Sequence, residues 1–409
     1  MSRSIPVLAL VAALLVGSLT ITSPVQAEEK ITTKEVGKAM QTAQEAVNKK
    51  QWDKAIASLK EAQAVQKKTP FEAFKIDEFL GFVYIQQKNY TEAAPVFERM
   101  VNSGMLPPDQ QDARLKAVAQ LYFQLQQYSK AVDYAKRWLK NHPGDQEMSV
   151  LVGQGYYLMK DYKNAISAMD SVINASEKAG QTPKENWLQI VLSSYNNMND
   201  ENGVADTMQR IVRHYPTADN WDKLLRVVRQ KEQPDRAKLN VYRLMLDVGA
   251  LKEGRHFVDA AEISMDLGLP GEALRFLEAG FASKALENED KARNERLLAN
   301  AKKQVAVDKA ALGQLAKEAQ GAPTGQGYIA LGQAYLSYAQ FDEAIGALQS
   351  GLKKGSLTDS DEAQVNLGIA YLKKNQLSEA RDALKSVKDG SKWSEVANLW
   401  LLRANARPS

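Results

Sequence analysis

Histidine, cysteine and clustered carboxylates are the side chains that most often hold metals or move protons near neutral pH. This chain carries three histidines, His142, His214 and His256, and no cysteine. The histidines are far apart and lack the i, i+4 spacing that sets two imidazoles on one helix face around zinc. His142 stands beside Pro143 and His214 close to Pro216, where helices should end and a cation complements the C-terminal dipole. Without cysteine there is no disulfide, thiol nucleophile, thiolate metal site or lipidated cysteine. Gly325-x-Gly327-x-x-Ala330 imitates a dinucleotide fingerprint, but it follows a linker instead of a strand. Residues 197–203 resemble a calcium loop, yet Gly203 falls one place late and no glutamate closes the loop. Neither a P-loop nor a G-x-S-x-G elbow occurs, and Asp359, Asp361 and Glu362 sit where a helix start favours negative charge. The residues therefore assign no catalytic group, cofactor or metal, and the chain reads as a non-enzyme.

The elements that hold these residues are set by composition and spacing. Of 409 residues, 44% are apolar and 25% charged, an ordinary globular balance rich in alanine, lysine, glutamine, glutamate and leucine, which favour helix. A formal charge of +4 is small for this length and implies neither nucleic acid nor an anionic membrane. Arg3, the apolar run at residues 7–16 and Val25-Gln26-Ala27 form a secretory signal, with cleavage expected near Ala27 and a mature start at Glu28. An uncleaved anchor is the rival reading, weakened by Pro6 and Gly17. No later stretch is apolar enough to span a membrane, so a periplasmic or secreted chain is expected, with no stable membrane insertion after cleavage.

Four segments superimpose: Leu80-Gly81-x-x-Tyr84 with Ala93 and Phe97; Val152-Gly153-x-x-Tyr156 with Ala165 and Met169; Leu331-Gly332-x-x-Tyr335 with Ala344 and Leu348; Leu367-Gly368-x-x-Tyr371 with Ala380 and Leu384. Tyr328, Leu331, Gly332 and Tyr335 fall at i, i+3, i+4 and i+7, one buried helical face. A second helix follows a short turn, and its alanine is expected to face the small residue of the first. Weaker copies anchor at Ala55, Ala131, Val204, Ala237 and Ala273, and Pro143 and Pro216 close two of them. These residues resemble the tetratricopeptide repeat, W-x2-L-G-x2-Y, then A-x3-F, then P. The first-position tryptophan is mostly replaced, by Asp77, Tyr328 and Gln364, although Trp221 opens the pair leading to Ala237. The resemblance covers nearly all of the chain beyond the signal. It implies an all-α solenoid of about ten antiparallel helix pairs, a right-handed superhelix with first helices lining a concave groove.

On this pattern residues 1–27 are the signal and residues 28–282 an N-terminal array of about seven repeats. Residues 283–324 form a degenerate repeat and candidate hinge, with one helix pair at residues 288–320 before Gly321-Ala322-Pro323-Thr324-Gly325 breaks the helix. Residues 325–409 hold the C-terminal repeats. There Trp393, Val396, Ala397 and Trp400 repeat the first-helix face as a cap, leaving Leu399 and Leu402 outward as a candidate interface.

Rotating about 130° from the buried stripe, at roughly 100° per residue, gives the groove-facing positions. They are Phe82, Ile85 and Gln86; Lys116, Gln120 and Phe123; Gln154 and Tyr157; Gln189, Ser193 and Asn196. Amides can bond a peptide backbone and the aromatics can anchor it, so a protein or peptide partner is expected. The basic stretch at residues 210–243 lacks interleaved exposed aromatics and reads as a solvated face. Within it Arg226 and Arg229 share the concave stripe if Trp221, Leu224 and Leu225 face inward, and could meet a carboxylate. The preferred function is a non-catalytic periplasmic scaffold or adaptor. Resemblance to exported repeat proteins of Gram-negative bacteria adds a link to TonB-type energy transduction. The alternative is an envelope assembly factor that binds glycan or peptidoglycan, with Phe123 and Tyr157 as sugar platforms.

Overall fold

The tyrosine that completes each strong repeat also ends its helix, in the same way each time. The computed structural model describes residues 30–229, 234–287 and 290–406; the expected signal lies outside them. The fifth amide after each tyrosine donates back to the tyrosine carbonyl: Asn89 to Tyr84, Asp161 to Tyr156, Gln340 to Tyr335 and Gln376 to Tyr371, at 2.8–3.0 Å. The residue before each donor is left-handed, with φ of 56° at Lys88, 63° at Lys160, 57° at Ala339 and 59° at Asn375. This 6→1 closure satisfies carbonyls that a helix end would otherwise leave open. The second helix starts on the next residue, so every hairpin leaves its turn in the same direction.

The chain divides into two compact units, Met1–Asp200 and Glu201–Ser409. The first holds α1 (Lys34–Asn48), α2 (Trp52–Ala64), α3 (Pro70–Gln86), α4 (Tyr90–Asn102), α5 (Pro108–Gln124), α6 (Tyr128–Asn141), α7 (Gln146–Leu158), α8 (Tyr162–Lys178) and α9 (Glu185–Asn197). The second holds α10 (Glu201–His214), α11 (Ala218–Arg229), α12 (Asp235–Asp247), α13 (Gly254–Asp266), α14 (Pro270–Ala282), α15 (Lys291–Gly321), α16 (Gln326–Ser337), α17 (Phe341–Lys354), α18 (Ser360–Lys373), α19 (Leu377–Lys385) and α20 (Ser394–Asn405). The described residues are thus an all-α solenoid of helix pairs, and none of their helices is long and apolar enough to cross a membrane. α6 and α10 stop at Asn141 and His214, just before Pro143 and Pro216, as the prolines require.

Inside each strong pair the anchor alanines Ala93, Ala165, Ala344 and Ala380 are fully buried. The side chain that fills the space over the glycine is not the alanine, however, but the residue four further on. A Cβ on Gly81 would lie 2.6 Å from Phe97, and Leu348 and Leu384 stand equally close over Gly332 and Gly368. One helical turn separates the two second-helix positions, so the alanine admits the backbone and the larger residue caps the glycine.

The start of unit 1 is fastened by one carboxylate. Thr69 caps α3 in a capping box with Glu72, and the same Glu72 accepts from the amides of Thr32 at 2.8 Å and Thr33 at 2.7 Å and from the Thr33 hydroxyl at 2.8 Å. Burial would raise the Glu72 pKa, but the hydrogen bonds from Thr33, Thr69 and Thr32 prevail and bring it from 4.5 down to about 2. A depressed carboxyl stabilises fully above its unfolded value and loses that contribution as pH falls through its folded value. Amides of α1 should therefore lose protection between about pH 4.5 and 2, after correction for intrinsic exchange, while Glu72→Gln abolishes that dependence. Identical pH profiles for the two proteins would contradict this fastening.

Unit 2 departs from an open stack. The expected helix pair at residues 288–320 is instead one helix of 31 residues, α15. Its lysine, alanine, leucine and glutamine all sustain helix, and no proline interrupts it before Pro323. α12 and α14 then pack on first helices of the later repeats. Arg236 reaches Glu362 at 2.9 Å, Arg243 reaches Asn366 at 3.2 Å, and Asp247 takes Lys373 at 2.5 Å and Arg403 at 2.7 Å. These ties join residues on both sides of position 282, all within the second unit. They also change the reading of the last helix. Trp393 and Trp400 are buried as expected, but Leu399 and Leu402 are only 3% and 7% exposed, because α10 and α12 cover the other side of α20. No outward leucine face remains there.

Candidate partner-binding surface

In unit 1 the first-helix stripe divides into residues that hold the fold and residues that face solvent. Lys116 bonds Asp145 at 3.1 Å and Glu147 at 2.8 Å, and buried Gln120 donates to Glu147 at 2.6 Å. These two fix α5 to the start of α7. Phe123 is half-buried, edge-on to Tyr128 with centroids 5.4 Å apart. Tyr157 lies 5.9 Å from the Tyr162 ring and bonds the Ser193 hydroxyl at 2.7 Å, which ties α7 to α9. Ile85 and Gln154 are half-buried.

Phe82 remains 37% exposed although its edge meets Trp52 at 6.5 Å, and Gln86, Gln189 and Asn196 are exposed. Leu158, which the rotation did not name, is 45% exposed. It stands two residues after Tyr156, as Gln86 stands two after Tyr84, so the repeat register itself carried the signal. Exposure of a leucine at a repeated stripe position is more informative than exposure of one elsewhere.

Unit 2 separates Arg226 from Arg229. Trp221, Leu224 and Leu225 do face inward, and Arg226 is exposed, paired with Asp222 at 2.7 Å one turn earlier. Arg229 is drawn onto α13, its guanidinium 2.5 Å from Nε2 of buried His256. Arginine only donates, so the imidazole accepts there and is neutral. Burial, with the Arg229 charge beside it, pushes the His256 pKa down and keeps it so. The two arginines do not form one patch. His142 also takes a structural place, 2.7 Å from Asp112 and stacked on Trp138.

A tetratricopeptide-repeat family model matches residues 40–112 and 329–392, across three of the four strong copies. The chain is a tetratricopeptide-repeat protein. A second family model, described as anaphase-promoting complex, cyclosome, subunit 3, matches residues 86–172. No curated protein matches the chain significantly. Among solved structures, a tetratricopeptide repeat protein from Parabacteroides merdae is 13% identical over 83% of this chain and 99% of its own, with a TM-score of 0.29. YrrB, described as having an unusual peptide-binding site, is 15% identical over 44% of this chain and 85% of its own, at 0.30. MamA from Desulfovibrio magneticus RS-1, from residue 41 on, is 14% identical over 49% and 99%, at 0.27. Scores this low carry no argument about shape or ligand.

A tetratricopeptide-repeat protein is a scaffold for protein or peptide partners, and its first helices offer the surface. Here that surface is open in unit 1 at Phe82 and Leu158. The same register in unit 2 falls on Gln333, Leu336, Ser337, Ile369, Leu372 and Lys373, of which Leu336, Ser337, Ile369 and Leu372 are buried under the unit's own helices. Gln333 donates to Glu362 at 2.9 Å, and Ser337 accepts the Glu272 amide at 3.1 Å.

Proposed function

We propose that this protein is an exported, non-catalytic scaffold that holds a peptide segment of a protein partner on the first-helix face of unit 1. The observation that carries the reading is the exposure of two apolar first-helix residues, Phe82 two places before its repeat tyrosine and Leu158 two places after its own, among exposed amides. Apolar side chains supply the anchors of such a surface, and Gln86, Gln189 and Asn196 supply adaptable hydrogen bonds to an extended backbone. The periplasmic location rests on the signal pattern at residues 1–27. Association with TonB-type energy-transduction proteins rests on resemblance alone, and it names the partner class to probe first. The glycan reading is not favoured, because both of its intended platforms are engaged by neighbouring tyrosines.

A photo-crosslinking residue placed at position 82 or 158 in cells should yield one discrete adduct in the periplasmic fraction, and the same residue at exposed Lys163 should yield none. The double substitution Phe82→Ala, Leu158→Ser should weaken capture by about tenfold or more with little change in stability, since hot-spot anchors cost about 2 kcal/mol or more when truncated. Equal adducts from all three positions, or capture indifferent to the double substitution, would overturn the assignment.

A further inference from the structure

Unit 2 holds a cavity of ≈ 270 Å³ bounded by α12, α14, α16, α17, α18 and α20. Phe276, Leu336, Phe341 and Ile369 give it apolar walls, and three cations against two carboxylates leave one positive charge in excess. The carboxylates are already committed. Glu272 takes Arg243 in a two-bond fork at 2.6 and 2.8 Å, and Asp247 takes Lys373 and Arg403. Among the lining cations Arg275 is the most weakly compensated, with a 3.5 Å approach to Glu272 and a 3.2 Å bond to the Leu336 carbonyl.

Two donors on residues that line the cavity are unspent. The Nε–H of Arg275 is buried and meets no acceptor, and neither does the indole N–H of Trp400, a side chain with no exposed surface. Buried donors without partners are rare because each loses its hydration for nothing. Burial also pushes the Arg275 pKa down, consistent with a cation short of counter-charge. A cavity of this size with apolar walls, two unpaired donors on its lining residues and a weakly compensated cation has the character of a small-ligand site.

We infer that the cavity binds an apolar monocarboxylate, with the carboxylate on Arg275 and Trp400 and the apolar body against Phe276, Phe341 and Ile369. Two sources present that chemistry, a free carboxylic acid and the C-terminal residue of a peptide. The site lies within unit 2 and is independent of the peptide surface proposed for unit 1.

Calorimetric titration of the full chain with phenylacetate and with the tripeptide Ala-Ala-Phe tests this, using phenylacetamide and the tripeptide amide as controls. At least one acid should bind saturably and its amide about tenfold or more weakly, because charge-assisted bonds to the guanidinium are lost. Binding of phenylacetate assigns a free acid, and binding of the tripeptide alone assigns a chain terminus. Arg275→Gln should weaken the acid by about tenfold or more, and Trp400→Phe by a smaller factor. The acid–amide comparison needs no variant, so it decides even if a substitution disturbs folding. Absence of saturable binding by both acids, acid and amide binding alike, or indifference to a folded Arg275→Gln protein would each overturn the proposal.

Discussion

Replacing Glu272 with alanine should destabilise unit 2 by about 3–5 kcal/mol, the cost of leaving a buried charge without its partner. The Glu272 side chain is 5% exposed and that of Arg243 11%, so neither ion can recover its hydration. Burial raises the Glu272 pKa, but the Arg243 charge and its hydrogen bonds outweigh it and the net shift is downward, which keeps the carboxylate ionised. Its removal strands Arg243 beside Arg275 and Lys373, three cations around one cavity. The loss should appear as faster amide exchange throughout α12, α14 and α18. The double substitution Arg243→Met, Glu272→Met should recover most of it, because a buried ion pair is seldom better than an apolar pair of similar volume. A single-site loss below about 1 kcal/mol would mean that water reaches the pair and that the closure is looser than described.

Gly325→Ala should cost about 3 kcal/mol, near the top of the usual overpacking range, whereas Gly332→Ala should cost about 1 kcal/mol. Both glycines are crowded, but by different atoms. A Cβ on Gly332 meets Leu348 at 2.6 Å, a side chain that can turn aside. A Cβ on Gly325 collides with the Gly351 carbonyl oxygen and lies 2.9 Å from the Gly355 oxygen, both backbone. The Gly325 amide donates to Gly355 at 2.8 Å, so the two segments cannot separate without losing that bond. Urea titration by circular dichroism measures both variants. Equal costs would show that the α16–α17 crossing yields more readily than its geometry implies. The glycines that imitate a nucleotide fingerprint thus mark a close crossing of two helix ends.

The hairpin was legible because one residue does two jobs. The tyrosine of each strong copy lies on the buried face and also accepts the bond that closes the turn, so its spacing reports both face and boundary. The tyrosine-free stretch that became α15 was the corresponding blind spot. Of the stripe residues, rotation about a helix gives a direction but not what waits there. Lys116 and Gln120 point as expected, yet Asp145 and Glu147 at the start of the next first helix consume them.

The closure of unit 2 left a fainter trace. In α18 Ala363, Val365, Leu367, Ile369, Ala370 and Leu372 spread around the whole helix, and all are buried. A helix without a polar face needs cover on every side. An open array supplies cover on one side only, so that composition already argued against a free groove in the last repeats.

An open stack can lengthen or shorten by a whole helix pair, since each pair meets only its neighbours. Unit 2 cannot, because Arg236 must find Glu362 and Asp247 must find Arg403, across 126 and 156 residues of intervening chain. One pair added or lost between them would carry every one of those ties out of register. Tandem duplication, the ordinary way such chains grow, is compatible with the first 200 residues and closed to the rest.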